Sequence, residues 1–191
     1  DVFTVDALEV LAPSLAEREA QKALGQQVEL KLKDLFGTEQ ALSQYKGRIV
    51  VLNFWATYCE PCRKEMPDLA AIQNEYAALG LQVIGASADA PEDRAKILQF
   101  VKETKVNFPI WTGAGAADML RFGLGTALPG TVIIDKDGRI VQVISGIVNA
   151  ADLRRQIDAM LKIAENEAKK NEAVARRDAK EKQPQVSNVP S

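Results

Sequence analysis

Histidine is absent from all 191 residues. Its absence excludes Ser–His–Asp triads, Cys–His dyads and every metal site built on imidazole. Cysteine is nearly as scarce. Cys59 and Cys62 are the only two, so one chain cannot assemble a four-thiolate zinc or iron–sulfur centre. No metal site and no cofactor are therefore expected. Long apolar runs are missing too, and none reaches the length of a bilayer-spanning helix. Charge is nearly balanced, with 24 basic against 26 acidic side chains and a formal net charge of −2. That balance supplies no general attraction to nucleic acid, and no nucleic-acid partner is expected. Chemistry is left to carboxylates, lysines, hydroxyls and a single cysteine pair.

Hydrophobic residues make up 47% and charged residues 26%, which places the chain among ordinary globular proteins rather than disordered or fibrous ones. The length suggests one domain with extensions. Residues 1–26 carry scattered apolar positions (Val5, Leu8, Leu11, Leu15, Leu24) broken by Pro13. Ser14 and Glu17 form a capping-box pattern and Gly25 a stop, which predicts a short helix over about 15–24. From Val28 the pattern turns to period two, with Leu30 and Leu32 alternating with charged residues as in a half-buried strand. Residues 48–54 (RIVVLNF) read as a strand buried on both faces. Helix 60–79, strand 81–86, helix 91–104, strand 108–111 and helix 116–122 follow. Thr131–Asp135 and Ile140–Ile144 flank the turn Lys136-Asp-Gly138, where glycine serves a positive φ. Asn149 caps a last amphipathic helix bearing Leu153, Ile157, Met160 and Leu161. This order describes a mixed α/β sheet with helices on both faces over residues 27–164. Residues 165–191 form a charged extension. Within it Glu165/Lys169, Glu172/Arg176 and Asp178/Lys182 predict a solvated helix, and Gln183–Ser191 a disordered tail.

The chemistry concentrates in residues 55–67 (WATYCEPCRKEMP), between the buried strand and a helix. Backbone N–H groups at a helix N-terminus stabilise a thiolate and lower a cysteine pKa. Cys59, at the loop-to-helix junction, is placed to be an exposed nucleophile. Cys62 lies within reach to attack a mixed disulfide formed there. Pro61 suits the first helical turn, where its missing N–H costs nothing. The bland alternative, an inert bridge pinning the helix, loses to the redox reading in this strand–CxxC–helix context. Leu128-Pro129 precedes the strand at 131. Local sequence alone predicts an ordinary trans proline there, although such a strand entry can fix a cis bond.

The run from Val50 to Pro67 resembles the thioredoxin superfamily, and within it the extracytoplasmic TlpA/ResA-like thiol-disulfide reductases. Residues 128–140 (LPGTVIIDKDGRI) resemble the family's cis-proline segment and following hairpin. Tyr45-Lys-Gly47-Arg resembles its lead-in to the central strand. The resemblance covers about residues 27–163. It implies a thioredoxin-like sheet with an N-terminal hairpin, flanked here by helical N- and C-terminal extensions. It also implies Cys59 as attacking and Cys62 as resolving thiol, and Pro129 as the cis-proline. Leu128 would then offer its backbone to an extended substrate, with Trp55, Glu60, Pro61 and Pro129 as further substrate-binding residues, Trp55 also shielding the disulfide, and Pro67 would kink the active-site helix.

Thioredoxins carry a buried aspartate where this sequence has Asn53, and an amide cannot take that proton. The resemblance implies Glu65 as the replacement. Its place three residues after Cys62 puts it on the same helical face, where burial would raise its pKa and suit it to exchange protons with Cys62. The alternative is a surface glutamate paired with Arg63 or Lys64. Glu60, negative and beside Cys59, is expected to oppose the helix dipole and make the pair more reducing.

These readings lead to a protein-disulfide reductase working in the periplasm or otherwise outside the cytoplasm. A disulfide-containing protein is the expected substrate and a membrane thiol transporter the expected electron donor, with roles in cytochrome c maturation or copper-centre assembly implied by the resemblance. A start at Asp1, without a leader, accommodates a removed signal or membrane anchor. Three alternatives stay open: a disulfide oxidase or isomerase, a two-coordinate Cu(I) carrier using both thiolates, and a redox-silent scaffold. The sequence leaves oligomeric state open.

Overall fold

The computed structural model describes residues 13–181. After helix α1 (Leu15–Ala23) come strands β1 (Lys31–Asp34), β2 (Glu39–Ala41) and β3 (Ile49–Trp55), then helix α2 (Glu60–Tyr76) and strand β4 (Leu81–Ser87). Helix α3 (Arg94–Thr104), strand β5 (Ile110–Thr112), helix α4 (Ala116–Arg121), strands β6 (Gly130–Ile134) and β7 (Ile140–Ser145) and helix α5 (Ala150–Glu181) complete the order. The seven strands form one mixed sheet in the order β2-β1-β5-β4-β3-β6-β7. β3 runs parallel to β4 and antiparallel to β6. The fold is the thioredoxin-like mixed sheet with helices on both faces that the sequence predicts. No helix among the described residues is long and apolar enough to cross a membrane.

The alternation of β3 decides which side chains reach which layer. Val50, Leu52 and Phe54 join one core with Trp111, Phe122, Leu124 and Val132. Pleating turns Asn53 and Trp55 to the opposite face. Every residue of β3 is buried, as its unbroken β-branched and apolar run anticipates.

The capping box at Ser14 and Glu17 is formed and starts α1. The segment after α1 joins the sheet margin. Gly25 N–H donates to Ile140 O at 2.7 Å, and Val28 N–H to Gly138 O at 3.2 Å. Ala23 belongs to the main core. A Cβ on Gly123, whose φ is +75°, would sit 2.6 Å from the Ala23 Cβ and 3.0 Å from Glu19 O. Gly123→Ala is therefore expected to cost roughly 2 kcal/mol, through clash and a left-handed backbone together. Urea denaturation measures it, and an unchanged midpoint would show that α1 does not press on this turn.

Several predicted boundaries shift by a few residues. The first strand begins at Lys31 rather than Val28, and Gln27 makes only an isolated bridge to Arg139. Gly138 has φ +83° in the β6–β7 turn, as its turn role requires. Asn149 Oδ1 accepts from Ala151 and Asp152 N–H, capping α5. The chain divides into two compact units between Leu153 and Arg154, inside α5, and the anticipated limit at 164/165 falls within the same helix. The second unit is helical from Arg154 to Glu181 and forms the predicted Glu172–Arg176 ion pair at 2.6 Å. The tail expected to be disordered, like Val5, Leu8 and Leu11, lies outside the described residues.

Candidate functional site

The sheet topology gathers the singled-out residues at one end. β3 and β4 are parallel, so their carboxyl ends coincide, and β6 begins there because Gly130 pairs with Phe54. The loop into α2 and the Leu128-Pro129 segment therefore share that end, where open α/β sheets present their sites. The Leu128–Pro129 peptide is cis, correcting the trans bond expected from local sequence and agreeing with the resemblance.

Cys59 is the N-cap of α2 and Pro61 lies in its first turn. Cys59 and Cys62 are joined by a disulfide, with S–S 2.02 Å. Cys62 N–H donates to Cys59 Sγ at 3.3 Å, the bond that would stabilise a thiolate in the reduced protein. Cys59 keeps 8% exposure and Cys62 none, so only Cys59 can be approached from outside. Pro67 lies inside α2, as expected.

Glu65 is not a surface residue. It is 2% exposed, and its carboxylate accepts from Asn53 Nδ2 at 2.7 Å and from Val148 N–H at 3.0 Å. Burial raises its pKa above the ordinary carboxylate value. The Val148 and Asn53 hydrogen bonds pull the other way, and Asp68 adds a small further rise. Asn53 also donates to Thr131 Oγ1 at 3.0 Å, so β3, β6 and α2 are stitched beneath the cysteines. The basic residues offered as alternative partners are engaged elsewhere. Lys64 pairs with Glu60 at 2.8 Å, and Arg63 lies 5.4 Å above the Phe100 ring centre.

One site residue is placed differently from expectation, and a second has a partner. Trp55 is wholly buried and packs on Phe100 at 5.1 Å, so it supports the site from within and offers no surface to a substrate. The neighbouring exposed aromatic is Tyr58. Glu60 is exposed, and the hydrogen bond and charge of Lys64 hold its pKa down. It is thus ionised but paired, which blunts its effect on Cys59. Glu60→His is expected to raise the reduction potential by only tens of millivolts. A thiol–disulfide redox titration checks it, and a lower value would contradict the assignment.

Sequence reasoning missed two partners. Asn53 holds Glu65, which period-two alternation along β3 could have suggested. Asp89, just past β4, is 3% exposed and binds the loop before Cys59 through Thr57. Nothing in the run Ser87-Ala88-Asp89 distinguishes it from a surface turn.

Fold and relatives together make this chain a thiol-disulfide oxidoreductase of the thioredoxin class. It belongs to the AhpC/TSA family, whose model matches residues 24–143. It is 36% identical over 131 residues to thiol-disulfide oxidoreductase ResA of Halalkalibacterium halodurans, covering 69% of this chain and 73% of that protein. To ResA of Bacillus thuringiensis subsp. konkukian it is 37% identical over 113 residues, covering 59% of this chain and 64% of the relative. Among solved structures it resembles a Chlorobium tepidum protein assigned as thiol:disulfide interchange protein DsbE. That likeness has a TM-score of 0.65 and 27% identity, over 72% of this chain and 97% of the other.

Proposed function

We propose that the Cys59–Cys62 pair is a redox centre that reduces protein disulfides outside the cytoplasm. The observation that carries this reading is the asymmetry of the pair: an approachable sulfur at a helix N-cap, and an enclosed one with a buried carboxylate one turn behind it. In the reduced enzyme the Cys59 thiolate attacks a substrate disulfide, forming a mixed disulfide and releasing one substrate thiolate. Cys62, losing its proton to Glu65, then attacks Cys59 Sγ and expels the second substrate sulfur. Two electrons pass to the substrate, whose two sulfurs leave as thiolates that take their protons from Glu65 and from water, and the enzyme is left as the disulfide. Leu128, beside Pro129, offers its backbone to the extended substrate.

The resemblance extends the proposal to a periplasmic setting and a membrane thiol as electron donor. Haem-binding cysteine pairs of apocytochrome c, or proteins of copper-centre assembly, are the proposed substrates. The test is the equilibrium reduction potential of the pair in a dithiothreitol series. A value near or below about −270 mV supports a reductase. A value towards roughly −120 mV would reverse the direction of electron flow. Stoichiometric Cu(I) binding without disulfide reduction would replace the reading with a carrier.

A further inference from the structure

Asp89 is a buried carboxylate that the exchange steps leave unused. It lies beyond the carboxyl end of β4, beside the end of β3, where Trp55 and Ser87 are register partners. The strand ladder ends with Ala88 N–H donating to Trp55 O at 2.8 Å. The next donor out from β3, Thr57 N–H, would have no strand partner. Asp89 supplies one, with its two oxygens 2.9 and 3.1 Å from that nitrogen. The Thr57 hydroxyl donates to Asp89 Oδ1, and the Ser87 hydroxyl donates to Oδ2 at 2.7 Å. Asp89 N–H returns a bond to Ser87 Oγ at 3.1 Å. The side chain thus works as an acceptor for three separate donors: the Thr57 N–H, the Thr57 hydroxyl and the Ser87 hydroxyl.

What this carboxylate holds is the lead-in to the nucleophile. Ala56 to Cys59 form a tight turn closed by Cys59 N–H donating to Ala56 O at 3.1 Å, and Thr57 is inside it. The turn sets where Cys59 enters α2, and hence whether its sulfur can receive Cys62 N–H. We propose that Asp89 is a positioning residue for thiol–disulfide exchange, latching the Ala56–Cys59 turn through Thr57 so that Cys59 Sγ stays at the α2 N-cap. The inference rests on the reading of Cys59 as the nucleophile.

The latch and the bare charge of Asp89 act on Cys59 in opposite directions. Releasing the turn removes hydrogen bonding and helix-dipole stabilisation from the thiolate, raising the Cys59 pKa. Removing a nearby negative charge alone would lower it. Thr57→Val loosens the latch without changing any charge, and Asp89→Asn does both. Glu60, Arg63, Lys64 and Glu65 on α2, with Asp93 and Lys96 around the start of α3, are the same in all the proteins compared. Their contributions cancel.

The experiment follows thiolate absorbance and the rate of iodoacetamide alkylation against pH in the reduced full chain, for the parent and both variants. The Cys59 pKa is expected to rise by about 1 in Thr57→Val, on the order of tenfold less thiolate at a pH below both values, and to rise by less in Asp89→Asn, where the lost charge opposes the released turn. A fall in Asp89→Asn, or no change in either variant, overturns the inference. Lost thermal stability with an unmoved pKa would mean that Asp89 only braces the fold. Should the parent show no low-pKa thiolate at Cys59, the nucleophile assignment itself fails, a result distinct from an unresponsive variant.

Discussion

Cys59→Ser is expected to abolish disulfide exchange, by on the order of 10⁴-fold or more in an insulin-reduction assay. Cys62→Ser is expected to complete the first transfer and then stall. Cys59 is the sulfur that keeps any exposure, so only its thiolate can open the substrate disulfide. Serine at pH 7 is not a comparable nucleophile. The loss should not reflect unfolding, because position 59 is the N-cap of α2 and serine is a preferred N-cap residue. Removing Cys62 leaves attack intact but deletes the group that releases the product. A covalent adduct should therefore accumulate, visible by mass spectrometry and reversed by dithiothreitol. Adduct formation with Cys59→Ser instead would invert the two roles.

Glu65→Gln is expected to slow release of the mixed disulfide about 10²-fold while making the protein more stable at neutral pH. The two effects share one cause. Burial raises the Glu65 pKa above its ordinary value of 4.5, so ionised Glu65 is disfavoured in the folded state. Its contribution to stability is full below 4.5 and is lost as pH rises through the higher folded value. Glutamine removes that dependence. It keeps an acceptor for Val148 N–H, and its amide finds a partner because Asn53 Oδ1 has no hydrogen bond among the described residues. The unfolding midpoints of parent and variant should converge in acid and separate towards neutrality. A parallel offset at every pH would mean that Glu65 does not titrate with folding, and an unchanged release rate would remove its role with Cys62.

The residues legible in the sequence were those whose meaning is local. The β-branched run of β3, the cysteine spacing at a helix start and the glycine of the β6–β7 turn each announce a conformation within a few residues. The capping box of α1 does the same. Glu65 was legible only with the family resemblance, since a glutamate after Arg63 and Lys64 looks solvated. Its real surroundings come from Asn53 on β3 and from a backbone N–H at Val148, and a backbone donor leaves no mark in residue identity. Asp89 was invisible for a related reason: its partners Thr57 and Ser87 become neighbours only when β3 and β4 pair in parallel. Trp55 was misjudged as a contact because a tryptophan beside the cysteines can face either way. The phase of β3 turns it inward against Phe100.

The margins of the sheet bear on what the protein can safely touch. One outer strand, β2, is only three residues long and runs straight into a helical turn at Leu42–Tyr45. At the other, the start of β7 is already occupied by residues 25–28. A long bare margin would let any extended polypeptide add itself as a new strand and seed aggregation. For an enzyme whose proposed partners are disulfide-bearing chains, a three-residue strand at one margin and an occupied strand start at the other reduce the length of edge open to such additions.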